Sequence, residues 1–478
     1  MPTESGDPVY AEGALIPIAA IRVREAAPPG RPARRNLELL AASQPLLPDA
    51  HRFEARGQPH LYLPQGSRVY SLETEAATGM SAMLASRNGE ALRAYLSELG
   101  LSDHTYVDDA PVQSPPVRAL SLAVAQKCNL GCTYCYAQEG GFGSAPKSMP
   151  REKALEAVDL LLETAGRGDR VNLAFLGGEP LTNRAVVRSA TEHAAAAARK
   201  GATVTFSITT NGTLVTEEDG EFFERHAFAV TVSIDGVGEA HNRLRSFKGG
   251  SGSYARILTR VKPLLERQRR MQVSARATVT PANLRLRETL DGLIALGFHS
   301  VGFSPMLSSP TGRGEMGGGD LETMLEQMVE CGEEFERRVI AGRRYPFLNL
   351  ATALREIHRG THRPYPCGAG AGYFGVSAEG GLYACHRFVE DEEGAMGSVS
   401  AGVDSGRQND WLASRHVHRQ EPCRSCWARY LCGGGCHHEV IRRGRPACDY
   451  IRGWLHYCLQ AYARLSEQRP DYFASSLG

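Results

Sequence analysis

Residues 119–135 read ALSLAVAQKCNLGCTYC. The first seven are an apolar, strand-forming run, and the loop behind them carries Cys128, Cys132 and Cys135 in a C-x3-C-x2-C spacing. Three thiolates so close in the chain can serve one metal centre. On a four-iron cluster, three protein ligands leave one iron open to bind and activate a small molecule, whereas a fully ligated cluster passes electrons and no more. A three-cysteine zinc site is the alternative, but zinc wants a fourth protein ligand and none follows nearby. The stretch therefore predicts a strand that delivers a reactive metal centre, and an enzyme.

The strand-then-helix pattern recurs downstream. Strands are expected at 119–125, 171–176, 203–209, 229–234, 273–280 and 300–304. Between them, Leu155, Val158, Leu161 and Leu162 share a helical face within 151–164. Leu286, Leu290, Leu293 and Ile294 do the same within 285–296, with Gly297 as a C-terminal cap. Six alternating units imply a parallel sheet with right-handed crossovers, either open and doubly wound or a partial barrel. Both bind ligands at the C-terminal ends of their strands, and the polar motifs fall there.

Gly177-Gly178-Glu179-Pro180 follows the second strand; its bare backbone and carboxylate can accept hydrogen bonds from an ammonium group. Thr210-Asn211-Gly212-Thr213 follows the third strand and Ser233-Ile234-Asp235-Gly236 ends the fourth. Each is either a strand-terminating turn or a holder of carboxylate and hydroxyl groups. Arg245 and Arg276 are further candidates for a carboxylate, and Asp235 is a candidate for acting on substrate.

Outside the repeat, residues 1–36 mix prolines and arginines as a solvated, flexible arm would. Residues 37–112 read as a small α+β domain, with strands at 51–56, 60–63 and 68–72 and helices at 74–85 and 88–99. Pro111, Pro115 and Pro116 mark a linker to the repeat, 117–345, which ends in a Gly-rich loop (306–320) and a long helix (321–341). Residues 360–478 form a last domain. Its block 362–458, rich in Cys, Gly and His with little periodicity, is expected to be held by metal more than by an apolar core.

Three of the twelve cysteines lie at 128–135, eight lie between Cys367 and Cys458, and Cys331 is read as an inert buried helix thiol. In a reducing compartment such clusters favour metal thiolates over disulfides. A formal net charge of +1 gives no nucleic-acid footprint. No apolar run approaches the roughly 20 residues that span a bilayer, and the N-terminus lacks a signal peptide's basic region and apolar core. A cytoplasmic protein is expected.

The motif at Cys128, Cys132 and Cys135, with Tyr134 before its last cysteine and a strand before its first, resembles the radical S-adenosylmethionine superfamily over roughly residues 119–305. The resemblance implies a partial (β/α)6 TIM-like barrel. It implies a [4Fe-4S] cluster on the three cysteines, with S-adenosylmethionine bound to the open iron through its amine and carboxylate. Tyr134, Gly177, Gly178, Glu179, Asn211, Ser233, Asp235 and Arg245 would hold that cofactor. Cleavage of its sulfonium would yield a radical that takes hydrogen from substrate.

Further on, Cys367-x12-Gly380-x4-Cys385 precedes Cys423-x2-Cys426-x5-Cys432-x3-Cys436 and then Cys448. Zinc ribbons are one reading. The order and spacing instead resemble the SPASM extension of radical enzymes that act on peptides, which implies two auxiliary [4Fe-4S] clusters and three in all. Cys367, Cys385 and Cys436 would hold one, left with an open or non-Cys site. Cys423, Cys426, Cys432 and Cys448 would hold the other, with Cys458 an alternative to Cys448. His437 and His438, beside a ligand, are read as supporting or surface residues.

Anaerobic sulfatase maturases carry Asp, as a base, where this chain has His386. The stretches CWARYLCGGGCHHE (426–439) and CDYIRGW (448–454) resemble the family that matures quinohemoprotein amine dehydrogenase. That family implies intramolecular Cys-to-Asp/Glu thioether links in the enzyme's small subunit, presented with a leader segment. It also implies an external electron donor such as flavodoxin or ferredoxin, and a small N-terminal module that binds the leader by strand addition. A structural cap is the alternative role for that module. A zinc-stabilised peptide-binding scaffold without catalysis is the reading from another class.

Overall fold

The structure, a computed structural model, describes residues 50–86, 88–101, 110–163, 165–198 and 201–475. The flexible arm expected at 1–36 lies outside the described residues, as do residues 37–49 of the small domain.

The small domain is an antiparallel sheet of β1 (His51–Ala55), β2 (Gln58–Leu63) and β3 (Arg68–Ser71), followed by α1 (Thr74–Ser86) and α2 (Gly89–Glu98). Asn88 starts α2 by accepting the backbone N–H groups of Glu90 and Ala91 at 3.1 Å, as an N-cap should. Leu61, Leu63, Met80, Leu92 and Leu96 close a small core of its own.

The repeat gives six parallel strands: β4 (Ala119–Gln126), then, after the short antiparallel β5 (Lys147–Ser148), β6 (Arg170–Gly177), β7 (Thr203–Thr210), β8 (Ala229–Ser233), β9 (Gln272–Val279) and β10 (Val301–Pro305). Helices α3 (Arg151–Glu163), α4 (Arg184–Ala198), α5 (Glu217–Arg225), α6 (Glu239–Asn242), α7 (Tyr254–Arg267) and α8 (Leu286–Ala295) lie between them. Neighbours in the sheet follow chain order from β4 to β10 without reversal. A doubly wound sheet reverses at a switch point, so the order resolves the alternative left open by the pattern: this is a partial barrel.

Burial alternates along the later strands. On β9, Val273, Ala275, Ala277 and Val279 are buried against the helices, while Ser274, Arg276 and Thr278 turn to the other face. On β8, Val230 and Val232 are buried and Thr231 and Ser233 are not. The barrel lumen is therefore polar and open.

The Cys-rich block departs from expectation. After α9 (Gly318–Ile340) and α10 (Leu348–His358), the chain forms β11 (Tyr373–Val376), which pairs in parallel with β4, Tyr373 opposite Ala119. β12 (Gly381–Tyr383), β13 (Ala395–Ser398) and β14 (Gly402–Val403) extend the same sheet antiparallel. α11 (Ser405–Arg415), α12 (Arg429–Cys432), α13 (His437–Arg443), α14 (Cys448–Gln468) and α15 (Pro470–Ser475) complete the chain. Trp411, Leu412, Trp427, Trp454, Leu455, Leu459 and Leu465 join one continuous core with the barrel. The block thus has substantial apolar packing, supplied by the long helix α14 together with buried residues from short separate segments such as Trp411, Leu412 and Trp427.

The small sheet docks on this block. His51 stacks on Trp427 with ring centres 3.7 Å apart, and its Nε2 lies 2.8 Å from His456 Nδ1.

Candidate active site and thiol centres

The loop after β4 is held from below by the ends of the next strands. Gly177, at φ +155°, and Gly178 sit where a Cβ would fall 2.1 Å from Ala125 O and 2.3 Å from Lys127 O. Only glycine lets the end of β6 approach the cysteine loop so closely. Gly140, at φ +93°, completes the contact: a Cβ there would lie 2.8 Å from both Cys128 Cβ and Gly178 Cα. No motif pointed to Gly140, because its constraint comes from spatial neighbours.

Glu179 is fully buried and serves this architecture. Its Oε1 accepts from Leu181 N at 3.0 Å and Thr210 Oγ1 at 2.8 Å, and its Oε2 accepts from Asn211 N at 2.7 Å. The carboxylate expected to meet an ammonium group thus clamps the ends of β6 and β7 together. Asn211, so fixed, donates from Nδ2 to Asn129 Oδ1 at 2.9 Å and toward Cys128 Sγ at 3.7 Å. Asn129 in turn donates to Thr213 Oγ1 at 2.8 Å.

A second network anchors the far side of the loop. Tyr134 OH donates to Asp235 Oδ2, and Arg245 Nη1 donates to Tyr134 OH at 2.8 Å. Asp235 Oδ1 accepts from Thr278 N at 2.9 Å. Asp235 is wholly buried with both oxygens engaged, so its expected candidacy for acting on substrate gives way to a positioning role. Burial raises its pKa, opposed by Arg245. Burial likewise pushes the Cys132 thiol up to about 11, again opposed by Arg245. Ser233, half-buried at the end of β8, faces Arg276 across the sheet.

These residues fit a cluster with a carboxylate-bearing ligand. Cys128, Cys132 and Cys135 lie within electrostatic range of one another. The Nε of Arg245 is buried with no hydrogen-bond partner, an unspent donor beside them.

The C-terminal thiols fall into two groups. Cys385 lies within electrostatic range of Cys436 and Cys367. Cys423 is within range of Cys432, Cys448 and Cys426. A cleft of about 80 Å³ is lined by Cys423, Cys426, Cys432, Cys436 and Cys448. A cluster held by thiolates suits that lining. Cys458 stands apart, fully buried on α14 within range of Glu336. Cys331 is buried on α9. His437 is buried too, so of the two expected placements, supporting or surface, the surface one does not hold; burial and then Arg415 lower its pKa to about 4.

The two regions meet at the lumen. Tyr136, next to Cys135, and His386, next to Cys385, have ring centres 5.9 Å apart. Arg387 lies over the Tyr136 ring at 5.4 Å and pairs with Glu439 at 2.7 Å. Tyr373 on β11 is bonded to His386 Nδ1 at 2.7 Å. Among the described residues, no group of three or more His, Cys, Asp or Glu stands close enough to hold a single metal ion.

Residues 122–293, which span most of the strand–helix repeat, match the model of the Radical SAM superfamily. The serine-type anaerobic sulfatase-maturating enzyme of Klebsiella aerogenes is 25% identical over 360 residues, covering 72% of this chain and 86% of that protein. Among solved structures, native anSMEcpe with bound AdoMet superposes with a TM-score of 0.61 at 20% identity, over 75% of this chain and 100% of that one. Streptococcus suis SuiB bound to precursor peptide SuiA gives 0.50 at 16%, over 81% and 94%. These structures share the fold: a parallel-sheet radical SAM core, here followed by a Cys-rich region. No described helix is long and apolar enough to cross a membrane.

Proposed function

We propose that the chain is a radical S-adenosylmethionine peptide maturase that forms Cys-to-Asp/Glu thioether links, with the small subunit of quinohemoprotein amine dehydrogenase as substrate. The observation that carries the reading is the 5.9 Å approach of Tyr136, next to Cys135, to His386, next to Cys385, which brings the two thiol regions together. The sulfatase-maturating relative and the SuiB–precursor peptide complex support a peptide substrate.

Cys128, Cys132 and Cys135 would hold one [4Fe-4S] cluster. Cys367, Cys385 and Cys436, and separately Cys423, Cys426, Cys432 and Cys448, would hold two auxiliary ones. The first three cysteines would hold the group whose chemistry, with S-adenosylmethionine bound, would be removal of hydrogen from a substrate methylene by a radical. The chain's own residues do the positioning. Asn211 and Asn129 fix the loop of Cys128, and Tyr134 and Asp235 fix the segment between Cys132 and Cys135. Gly177 and Gly178 let the end of β6 close on the cysteine loop, and Arg245 would offer its unspent Nε–H to a carboxylate. Residues 37–112 would bind the leader.

A second reading, formylglycine formation, is favoured by the named relative and opposed by His386 in place of the expected base. Mass spectrometry of a co-expressed substrate separates them. Each thioether link removes two hydrogens, whereas the sulfatase reaction leaves an aldehyde at Cys or Ser. Unmodified peptide from a fully iron-loaded, reduced enzyme would sink both.

A further inference from the structure

Arg276 is an unusual residue for the middle of a barrel strand. It lies on β9 between the buried Ala275 and Ala277, yet it is solvent-accessible, because its side chain enters the open lumen. Its neighbours across the sheet are Ser233 on β8 and Gly302 on β10. Its guanidinium donates to the Ser304 hydroxyl. The acidic group that reaches it electrostatically, Glu439, is already paired with Arg387 at 2.7 Å. Among the described residues no carboxylate stands within ion-pair distance of Arg276. Two guanidinium groups face one carboxylate there, and Arg387 holds it, so Arg276 has none of its own among the described residues.

Position separates Arg276 from Arg245. Arg245 bonds Tyr134 and lies within range of Cys132, on the cofactor side. Arg276 is in range of His386 and Glu439, on the side of the C-terminal thiols. A carboxylate held at Arg276 would therefore lie between the two thiol regions, where a substrate side chain has to sit. A lone lysine would serve as a point charge, whereas the planar guanidinium fork matches a carboxylate with two parallel donors.

We propose that Arg276 is the subsite for the carboxylate of an acidic substrate residue, an aspartate or glutamate of the peptide, and so sets the enzyme's preference for acidic positions. The inference rests on the peptide-maturase reading.

The test compares two synthetic precursor peptides, one with its Asp and Glu residues intact and one with all of them replaced by Asn and Gln. Binding to anaerobically reconstituted enzyme with S-adenosylmethionine is followed by fluorescence anisotropy. The wild-type protein should prefer the acidic peptide by roughly tenfold or more. R276Q should erase that preference, and R276K, which keeps the charge, should retain part of it. Wild-type protein that binds both peptides equally overturns the inference and leaves the maturase reading intact. Wild-type protein that binds neither removes the maturase reading and the inference with it. A loss of S-adenosylmethionine affinity in R276Q that matches its loss of peptide affinity also overturns it, by moving Arg276 to the cofactor.

Discussion

The two thiol regions are built in opposite ways. Cys128, Cys132 and Cys135 come from one eight-residue loop, and the protein's effort goes into holding that loop still: buried Glu179 is bonded to Asn211 on one side of it, and its own buried Tyr134 is bonded to Asp235 on the other. The C-terminal thiols come from segments scattered between Cys367 and Cys448, and apolar packing gathers them. β11 runs beside β4, α14 buries Trp454, Leu455 and Leu459, and Trp427 lies under His51 of the small sheet. A local motif needs a polar clamp, because its backbone turns away from regular structure and must satisfy its donors and acceptors. A dispersed one needs a core, because distance between segments is its problem.

The largest effect expected of that contrast comes from replacing Cys128, Cys132 and Cys135 together by Ala. Formation of 5′-deoxyadenosine should fall to background, and iron should drop by about four atoms per chain, leaving the C-terminal iron in place. Turnover at the wild-type rate would break the assignment of the open iron to this loop.

Next comes a pair of variants on α14. Cys448→Ala should lose the iron of the last thiol group. Cys458→Ala should keep it and cost only about 1–2 kcal/mol of stability, as a small cavity does. Iron analysis with thermal melting distinguishes them, and the reverse pattern would exchange the two residues' roles.

Gly140→Ala tests how tightly the loop is packed. A side chain at φ +93°, 2.8 Å from Cys128 Cβ, should destabilise by about 2–4 kcal/mol through backbone strain and overlap. It should also weaken iron retention at the first site while sparing the C-terminal thiols.

Asp235→Asn is the mildest. It removes the charge that Tyr134 and Arg245 face and should cost about 1–3 kcal/mol. The melting temperature and S-adenosylmethionine affinity should fall together. An unchanged affinity would show that the polar clamp matters for folding alone.

The six parallel strands were legible because hydrophobic runs and helical periodicity are local signals, and β4 at Ala119–Gln126 matches the expected 119–125 closely. The polar motifs were legible as strand-end turns. Their division of labour was not. Glu179 and Asp235 read as groups that could meet a ligand, yet both are sealed under the loop, and only their partners reveal it. The Cys-rich block read as a metal-held loop, because each of its buried residues looks isolated until α14 and β11 bring them into the common core.

By itself the sequence determined the strand order's raw material and the three-thiol loop, both properties of residues close in the chain. Only the tertiary structure decided that the sheet is a partial barrel, that Tyr136 meets His386, and that Arg276 stands without an ion-pair partner in the lumen between them. Those facts depend on distances between segments far apart in the chain, which packing sets and no local pattern encodes.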